Sequence, residues 1–358
     1  MSSKRLGKGT KQRICVGVSG GVDSSVALAL LKEQGHDVTG VFIKIWDPEL
    51  SQCDWRAEMQ DAMRVCAQLD VPFRMVDLSD VYRSEVITYM IEAYTQGMTP
   101  NPDVMCNKAV KFGAFFTWAM EQGFDAVATG HYATVSATGE LRVAKDAAKD
   151  QSYFLWNVPK ERLKKTRFPV GEYTKMDVRE LAKRFNLPTA NKADSQGLCF
   201  IGPVDVKTFL ASRVQVSPGL VLATNGETIG THKGALLYTL GERHGFSITT
   251  HDTARKPYYV VARDIHANTI TVSREPRIDG AVRSVLLQNT NWFEEGTDMR
   301  VDAVIRYHGT RHPATLTRTA DGALVVFDTP VPGVALGQSV VCYQGDVCVV
   351  GGSASATS

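Results

Sequence analysis

The stretch Gly17-Val18-Ser19-Gly20-Gly21-Val22-Asp23-Ser24-Ser25 gathers the residue types that hold a phosphate chain. Gly20 and Gly21 leave no Cβ in the way and can take positive φ, so successive backbone N–H groups can converge on an anion. Ser19, Ser24 and Ser25 add hydroxyl donors. Asp23 adds a carboxylate, which suits such a site chiefly where Mg²⁺ bridges the like charges. The loop is not of the Gly-x-x-x-x-Gly-Lys type, because the place after its last glycine holds valine instead of lysine. A plain glycine turn between a strand and a helix is the bland alternative.

A second set of reactive types lies in Thr99-Pro100-Asn101-Pro102-Asp103-Val104-Met105-Cys106-Asn107-Lys108. Two prolines one residue apart make a stiff loop, able to aim side chains. Asn107 reads as the N-cap of a helix over 108–122, which puts Cys106 at a helix amino end beside Lys108 and Lys111. All three influences favour thiolate; Asp103 opposes it and can instead handle a proton. A small buried apolar role for Cys106 is the alternative. Cys199, in Asp194-Ser195-Gln196-Gly197-Leu198-Cys199-Phe200-Ile201-Gly202, reads by composition as a buried structural cysteine. His131, in Gly130-His131-Tyr132, is equally open to a ligand contact and a structural role. Lys149-Asp150-Gln151 precedes the apolar run Ser152-Tyr153-Phe154-Leu155 and suits an RNA-facing loop with a buried anchor.

These residues need elements to carry them. Ile14-Cys15-Val16-Gly17-Val18 reads as a buried strand running into the glycine loop, and 25–32 as the helix that follows. Strands at 38–43, 73–77 and 125–129 alternate with helices at 56–69, 79–96 and 108–122, which implies a parallel doubly wound sheet. Ligands then bind beyond the carboxyl ends of the strands, where the loop, Ile43 and Gly130 fall. From about residue 216 the chain turns to short strands with hairpin signals such as Asn225-Gly226, and from about 278 it reads as a small antiparallel barrel with strands at 299–306, 314–319, 323–327, 338–343 and 347–351. The expected division is a basic, disordered tail over 1–13, a catalytic domain over 14–205, a central β-rich domain over 206–277, a barrel over 278–352 and a disordered tail over 353–358.

With 358 residues, 44% of them hydrophobic and 22% charged, the chain has the make-up of a soluble globular protein of two or three domains. A net charge of +2 does not mark a nucleic-acid binder, which needs only a local basic face. Residues 1–13 carry five basic side chains and no apolar stretch, unlike a secretory signal, so a cytoplasmic protein is expected. No apolar run approaches a membrane span. Seven cysteines without a CxxC pair point to a reducing compartment and against a zinc ribbon or an iron–sulfur cluster.

The motifs SGGVDS, TPNPDVMCN, TGHY, KDQSYFL and GLCFIG, in this order, resemble those of the tRNA-specific 2-thiouridylases over nearly the whole chain. The resemblance implies a pyrophosphate-loop α/β domain of the adenine nucleotide alpha hydrolase kind, a small central domain and a C-terminal antiparallel β-barrel. It implies ATP contacts at Gly17, Val18, Ser19, Gly20, Gly21, Val22, Asp23 and Ser24, at Ile43, where methionine is expected, and at Gly130. Asn101, Pro102 and Asp103 would hold the target base. His131, Lys149, Asp150, Gln151, Arg306, Tyr307 and Gln338 would touch tRNA, and Asp103, Cys106 and Cys199 would be catalytic. The implied reaction adenylates the C2 oxygen of the wobble uridine with Mg²⁺-ATP, Asp23 being the one possible protein ligand of the metal. It then brings sulfur from a persulfide on Cys199, loaded by a sulfur-donor protein, and needs no iron–sulfur cluster. An ATP pyrophosphatase of the amide-forming synthetase type and a non-catalytic, ATP-dependent RNA-binding protein are the competing functions.

Overall fold

A computed structural model describes residues 10–45, 55–193, 206–214, 216–249, 256–275 and 281–358. The chain divides into two compact units, residues 1–82 with 107–196, and residues 83–106 with 197–358.

The first unit is built on a five-stranded parallel sheet. Strand β1 (Arg13–Gly17) leads through the glycine loop into helix α1 (Val22–Glu33); β2 (Asp37–Lys44), α2 (Trp55–Gln68), β3 (Phe73–Asp77), β4 (Ala126–Ala128), β5 (Thr166–Arg167) and α3 (Lys175–Arg184) follow. The sheet order is β3-β2-β1-β4-β5. Succession reverses between β1 and β4, so a crevice opens beyond their carboxyl ends, where Gly17 and Gly130 lie. Helix α1 is apolar nearly all round and buried from Val22 to Leu31 apart from Asp23, as expected of a helix enclosed on every side. Ile14, Val16, Val26, Leu28 and Ala128 share its core.

The two expected helices that join the units are both irregular. The first runs as Ser79–Tyr82, a π-helical stretch Arg83–Ile87 and Thr88–Thr95; the second as Pro102–Met105, a π-helical stretch Cys106–Ala114 and Phe115–Glu121. The chain passes from one unit to the other between Tyr82 and Arg83, at the start of the first π stretch, and between Cys106 and Asn107, one residue into the second. The second helix begins six residues before the expected start. Asn101, not Asn107, is its N-cap, accepting from the Val104 N–H at 3.3 Å, and Pro102 stands where its missing N–H is harmless. Cys106 therefore sits inside the helical run, not at its amino end.

In the second unit, β6 (Gly219–Ala223), β7 (Thr228–His232), β8 (Phe246–Ile248), β9 (Tyr259–Asp264) and β10 (Thr269–Ser273) form a sheet in the order β8-β7-β6-β10-β9. Then β11 (Val282–Trp292), β12 (Asp298–Val304), β13 (His312–Thr319), β14 (Gly322–Val331), β15 (Ser339–Gln344) and β16 (Val347–Thr357) pair antiparallel in the order β11-β14-β13-β12-β15-β16, and β16 returns to β11 to close a barrel. Closure removes the exposed edges of an open sheet, around a core that includes Leu287, Leu316, Val325, Phe327 and Cys342.

One strand is not legible in the sequence, and one expectation is corrected. Strand β11 is hidden in sequence because Gln288-Asn289-Thr290-Asn291 breaks the apolar alternation; Asn289 takes φ +51 and the pairing with β16 shifts register there. Residues 353–358 are not a disordered tail. Ser353, Ala354, Ala356 and Thr357 pair with β11, and the Ser358 carbonyl accepts from Arg283 and Ser284 N–H groups, because closing the barrel needs a partner for β11 on that side. Of the basic amino-terminal tail, residues 1–9 lie outside the described residues, while Arg13 already belongs to β1.

Candidate active site

The glycine loop gives α1 an open amino end. Its N-cap, Gly21, is extended at φ −92 and ψ 168 and makes no side-chain cap hydrogen bond. The first-turn N–H groups of Val22, Asp23 and Ser24 have no intrahelical acceptor and lie at the positive end of the helix dipole. Gly20 takes φ +73, as expected; Gly21 does not use its freedom. A Cβ on Gly20 would stand 2.4 Å from the Glu58 carbonyl oxygen of α2. Ser24 Oγ accepts from the Ser19 N–H at 3.2 Å and lies 3.2 Å from Ser19 Oγ, so the hydroxyls brace the turn they were expected to decorate. Gly130, beyond β4, abuts the same helix end: a Cβ there would lie 2.5 Å from Ser24 N. Ile43 is buried near the end of β2, in register with Val76.

Asp23 is held by residues that sequence inspection did not single out. Lys175 Nζ lies 2.7 and 2.8 Å from its two carboxylate oxygens, and Tyr132 donates its hydroxyl to Oδ1 at 2.8 Å. Lys175 is the first residue of α3, where a cation works against the helix dipole. Its place is set by the capping box of Thr174 with Asp177 and by its own N–H donating to Asp146 Oδ2 at 2.8 Å. The legible signal was a lysine directly after a capping threonine. The loop that lacks a lysine of its own thus has one delivered from α3.

His131 is buried, its ring tilted against Phe112 and edge-on to Phe168. Lys111 Nζ lies 3.2 Å from Nε2 and Thr129 Oγ1 lies 2.7 Å from Nδ1. An ammonium only donates, so Nε2 accepts and Nδ1 carries the proton given to Thr129. Burial, aided by Lys111, holds the imidazole well below its ordinary pKa and so neutral. Gln151 pairs with the backbone of Tyr132 in both directions, its Oε1 accepting at 3.0 Å and its N–H donating at 2.7 Å. Asp150 accepts from Ala144 N–H at 2.8 Å and Ser152 Oγ at 2.7 Å. Lys149, Asp150 and Gln151 are all half-buried.

In the second unit Asn101 is buried, Pro102 and Asp103 are half-buried and the Cys106 side chain has no exposure. Arg306 is exposed, and Tyr307 stacks on His308 with ring centroids 3.9 Å apart. Gln338 is half-buried; its carbonyl accepts from Ala354 N–H at 2.9 Å. Cys199 lies outside the described residues. The chain just before it is tied down: Arg179 of α3 donates to the Ala190 and Lys192 carbonyls at 3.0 and 2.6 Å, and Lys192 pairs with Asp61 of α2 at 2.8 Å. The Lys192 hydrogen bond, aided by Arg64, lowers the Asp61 pKa.

Burial raises the pKa of Cys15 far above its ordinary value, that of Cys66 to about 11 and that of Cys342 to about 12. Among the described residues no three His, Cys, Asp or Glu side chains come together as metal ligands, and no helix is long and apolar enough to cross a membrane.

A parallel sheet with a serine- and aspartate-bearing glycine loop at its switch point, joined to a β-rich domain and a closed β-barrel, defines a pyrophosphate-loop nucleotide enzyme with two β domains. Residues 12–203 match the family described as tRNA methyl transferase HUP domain, 207–274 the tRNA methyl transferase PRC-barrel domain and 282–354 the aminomethyltransferase beta-barrel domain. The chain is 41% identical over 355 residues to the tRNA-specific 2-thiouridylase MnmA of Bacillus pumilus (strain SAFR-032), covering 95% of this chain and 94% of that protein. It is 40% identical over 354 residues to the protein of the same name from Bacillus subtilis (strain 168), with the same coverage. Among solved structures, a 4-thiouridine synthetase in complex with RNA and ATP aligns at 17% identity over 57% of this chain and 50% of that one, with a TM-score of 0.34. The chain belongs to the tRNA-specific 2-thiouridylase family.

Proposed function

We propose that this protein replaces the C2 oxygen of the wobble uridine in tRNA with sulfur, using ATP. The observation that carries the nucleotide half is the uncapped amino end of α1, with Gly130 against it and the Asp23–Lys175 pair beside it. Gly17 to Ser24 cradle the phosphates with backbone N–H groups and hydroxyls at the positive end of α1. Lys175, paired with Asp23, cancels a carboxylate that would otherwise repel the incoming phosphates. Mg²⁺ accompanying ATP would neutralise phosphate charge, and Asp23 is the carboxylate of the loop that would help to hold it.

A uridine C2 carbonyl has no leaving group. Its oxygen attacks the α-phosphorus of ATP, pyrophosphate departs, and the base now carries AMP on that oxygen. Sulfur adds at C2 and AMP leaves with the original oxygen. Asn101, Pro102 and Asp103 hold the base, and the half-buried Asp103 moves a proton. Arg306, Tyr307 and Gln338 in the barrel, with His131 and Lys149-Asp150-Gln151 in the first unit, form the tRNA-binding set. His131 serves by fixing Lys111, since its own ring is buried.

The sulfur is the outer atom of a persulfide on Cys199, loaded by a donor protein. Either that atom attacks C2 and Cys106 then takes Cys199 Sγ, or Cys106 attacks Cys199 Sγ first and frees hydrosulfide to attack C2. Both routes balance alike: two thiols are oxidised to a Cys106–Cys199 disulfide as the sulfane sulfur is reduced, and an external thiol resets the pair. Cys106 is fully buried, and the disulfide requires the Cβ atoms of the two cysteines to come within about 4 Å of each other. The test is the nucleoside composition of a tRNA treated with protein, Mg²⁺-ATP and a donor-bound persulfide. ATP-dependent gain of one sulfur for one oxygen, lost in Cys199→Ser and Cys106→Ser, is expected. A methyl gain, or ATP turnover with unmodified RNA, would refute the assignment.

A further inference from the structure

In the second unit, the backbone just before Asn101 is gripped by both β domains. Helix Thr88–Thr95 ends in a Schellman-type turn: Gly97 takes φ +71, its N–H donates to the Tyr94 carbonyl at 2.9 Å, and Met98 N–H donates to Ala93 at 2.8 Å. The Gly97 carbonyl accepts from one terminal nitrogen of Arg263, on β9, at 2.6 Å, and the other terminal nitrogen donates to the Tyr238 carbonyl at 2.7 Å. From the barrel, the Leu336 carbonyl accepts from Thr99 N–H at 2.8 Å. Gly337, at φ +85, is so close that a Cβ there would lie 2.8 Å from Met98 Cβ and 3.1 Å from Thr99 N.

Arg263 spends its fork on two main-chain carbonyls, 25 and 166 residues away in sequence, rather than on a carboxylate. A planar guanidinium fixes both carbonyls relative to one another, which a lysine, as a point charge, does not. Four residues after Gly97 comes Asn101, the cap that sets the start of the helix carrying Asp103 and Cys106.

We propose that Arg263 is a positioning residue for sulfur transfer: by bridging the Gly97 and Tyr238 carbonyls it fixes the entry to the segment 99–106, so that Asn101 and Asp103 meet the target base in one geometry. The inference rests on the assignment of Asn101-Pro102-Asp103 as the base-holding residues. It predicts that Arg263 acts on turnover and leaves nucleotide binding alone.

The experiment compares the full-length protein with Arg263→Met and Arg263→Lys, reading thiolation kinetics and amide hydrogen exchange. Arg263→Met is expected to lower kcat about tenfold, as small misplacements of a positioned group do, with the KM for ATP unchanged. Exchange should quicken at Met98, Thr99 and Val104 while the amides of β1 and β13 keep their wild-type rates. Arg263→Lys, reaching one carbonyl, should fall between. Wild-type kcat and exchange in Arg263→Met would overturn the proposal. So would protection lost uniformly across the barrel and the sheet, which marks a purely structural part. Should the wild-type protein make no thiouridine, the functional assignment fails, and exchange at Thr99 and Val104 still decides whether Arg263 fixes the segment.

Discussion

The amino end of α1 and the amino end of the helix starting at Pro102 solve the same problem in opposite ways. At Pro102, Asn101 accepts from the Val104 N–H and proline removes a donor. At α1, glycine caps without a side-chain bond and the first-turn donors stay available. The closed end is built to hold a fixed shape, the open end to be completed by a ligand. A helix start in this chain can therefore be sorted into positioning or binding by what caps it.

The largest expected effect comes from blocking the open end. Gly130→Ala puts a Cβ where Ser24 N already lies 2.5 Å away, so the helix end must shift; thiolation should drop about a hundredfold, measured as initial rate against ATP concentration. Removing the paired charge comes next. Lys175→Met removes the cation from Asp23 and leaves the Tyr132 hydroxyl bonded to it. The pair is partly exposed, so the expected loss is about 1 to 2 kcal/mol of stability, by urea denaturation. Pairing it with Asp23→Asn should restore stability without restoring ATP use.

At the closed end, Asn101→Ala should cost about 1 kcal/mol and lower kcat for thiolation while leaving ATP binding intact, as calorimetry with ATP would show. Comparable loss of ATP binding would break the contrast between the two ends.

The smallest effect is pH-dependent. His131 is neutral in the folded protein because its pKa is lowered by burial, whereas the unfolded chain takes up a proton below about 6.5. The unfolded state then binds more protons, so stability falls as pH drops through that value, by at most about 1.4 kcal/mol per pH unit. His131→Gln should flatten the dependence of Tm on pH between about 7 and 5.5; an unchanged slope would assign the acid sensitivity elsewhere.

The open end was legible because its chemistry is local: Gly20, Ser24 and the strand before them lie within a few residues. Lys175 was not, because its partner Asp23 lies 152 residues away and its helix reads on its own as an ordinary basic face. At the closed end the loop was legible and its cap misassigned. Both Asn101 and Asn107 suit a cap by type, and Pro102 at the first helical position favours Asn101, while the Asn107 amide donates to the Phe154 carbonyl at 3.1 Å. The barrel's alternating strands were readable, but β11 was not, since a bulge at Asn289 spoils the period. The end of β16 reads as a small polar tail until its partner strand is known.

The most direct test of the account is the fate of the phosphates when ATP labelled at the α and γ positions meets this protein, a persulfide donor and a tRNA with a wobble uridine. The account predicts AMP and pyrophosphate, formed in step with thiouridine and absent without tRNA. ADP and inorganic phosphate, or cleavage independent of tRNA, would contradict it.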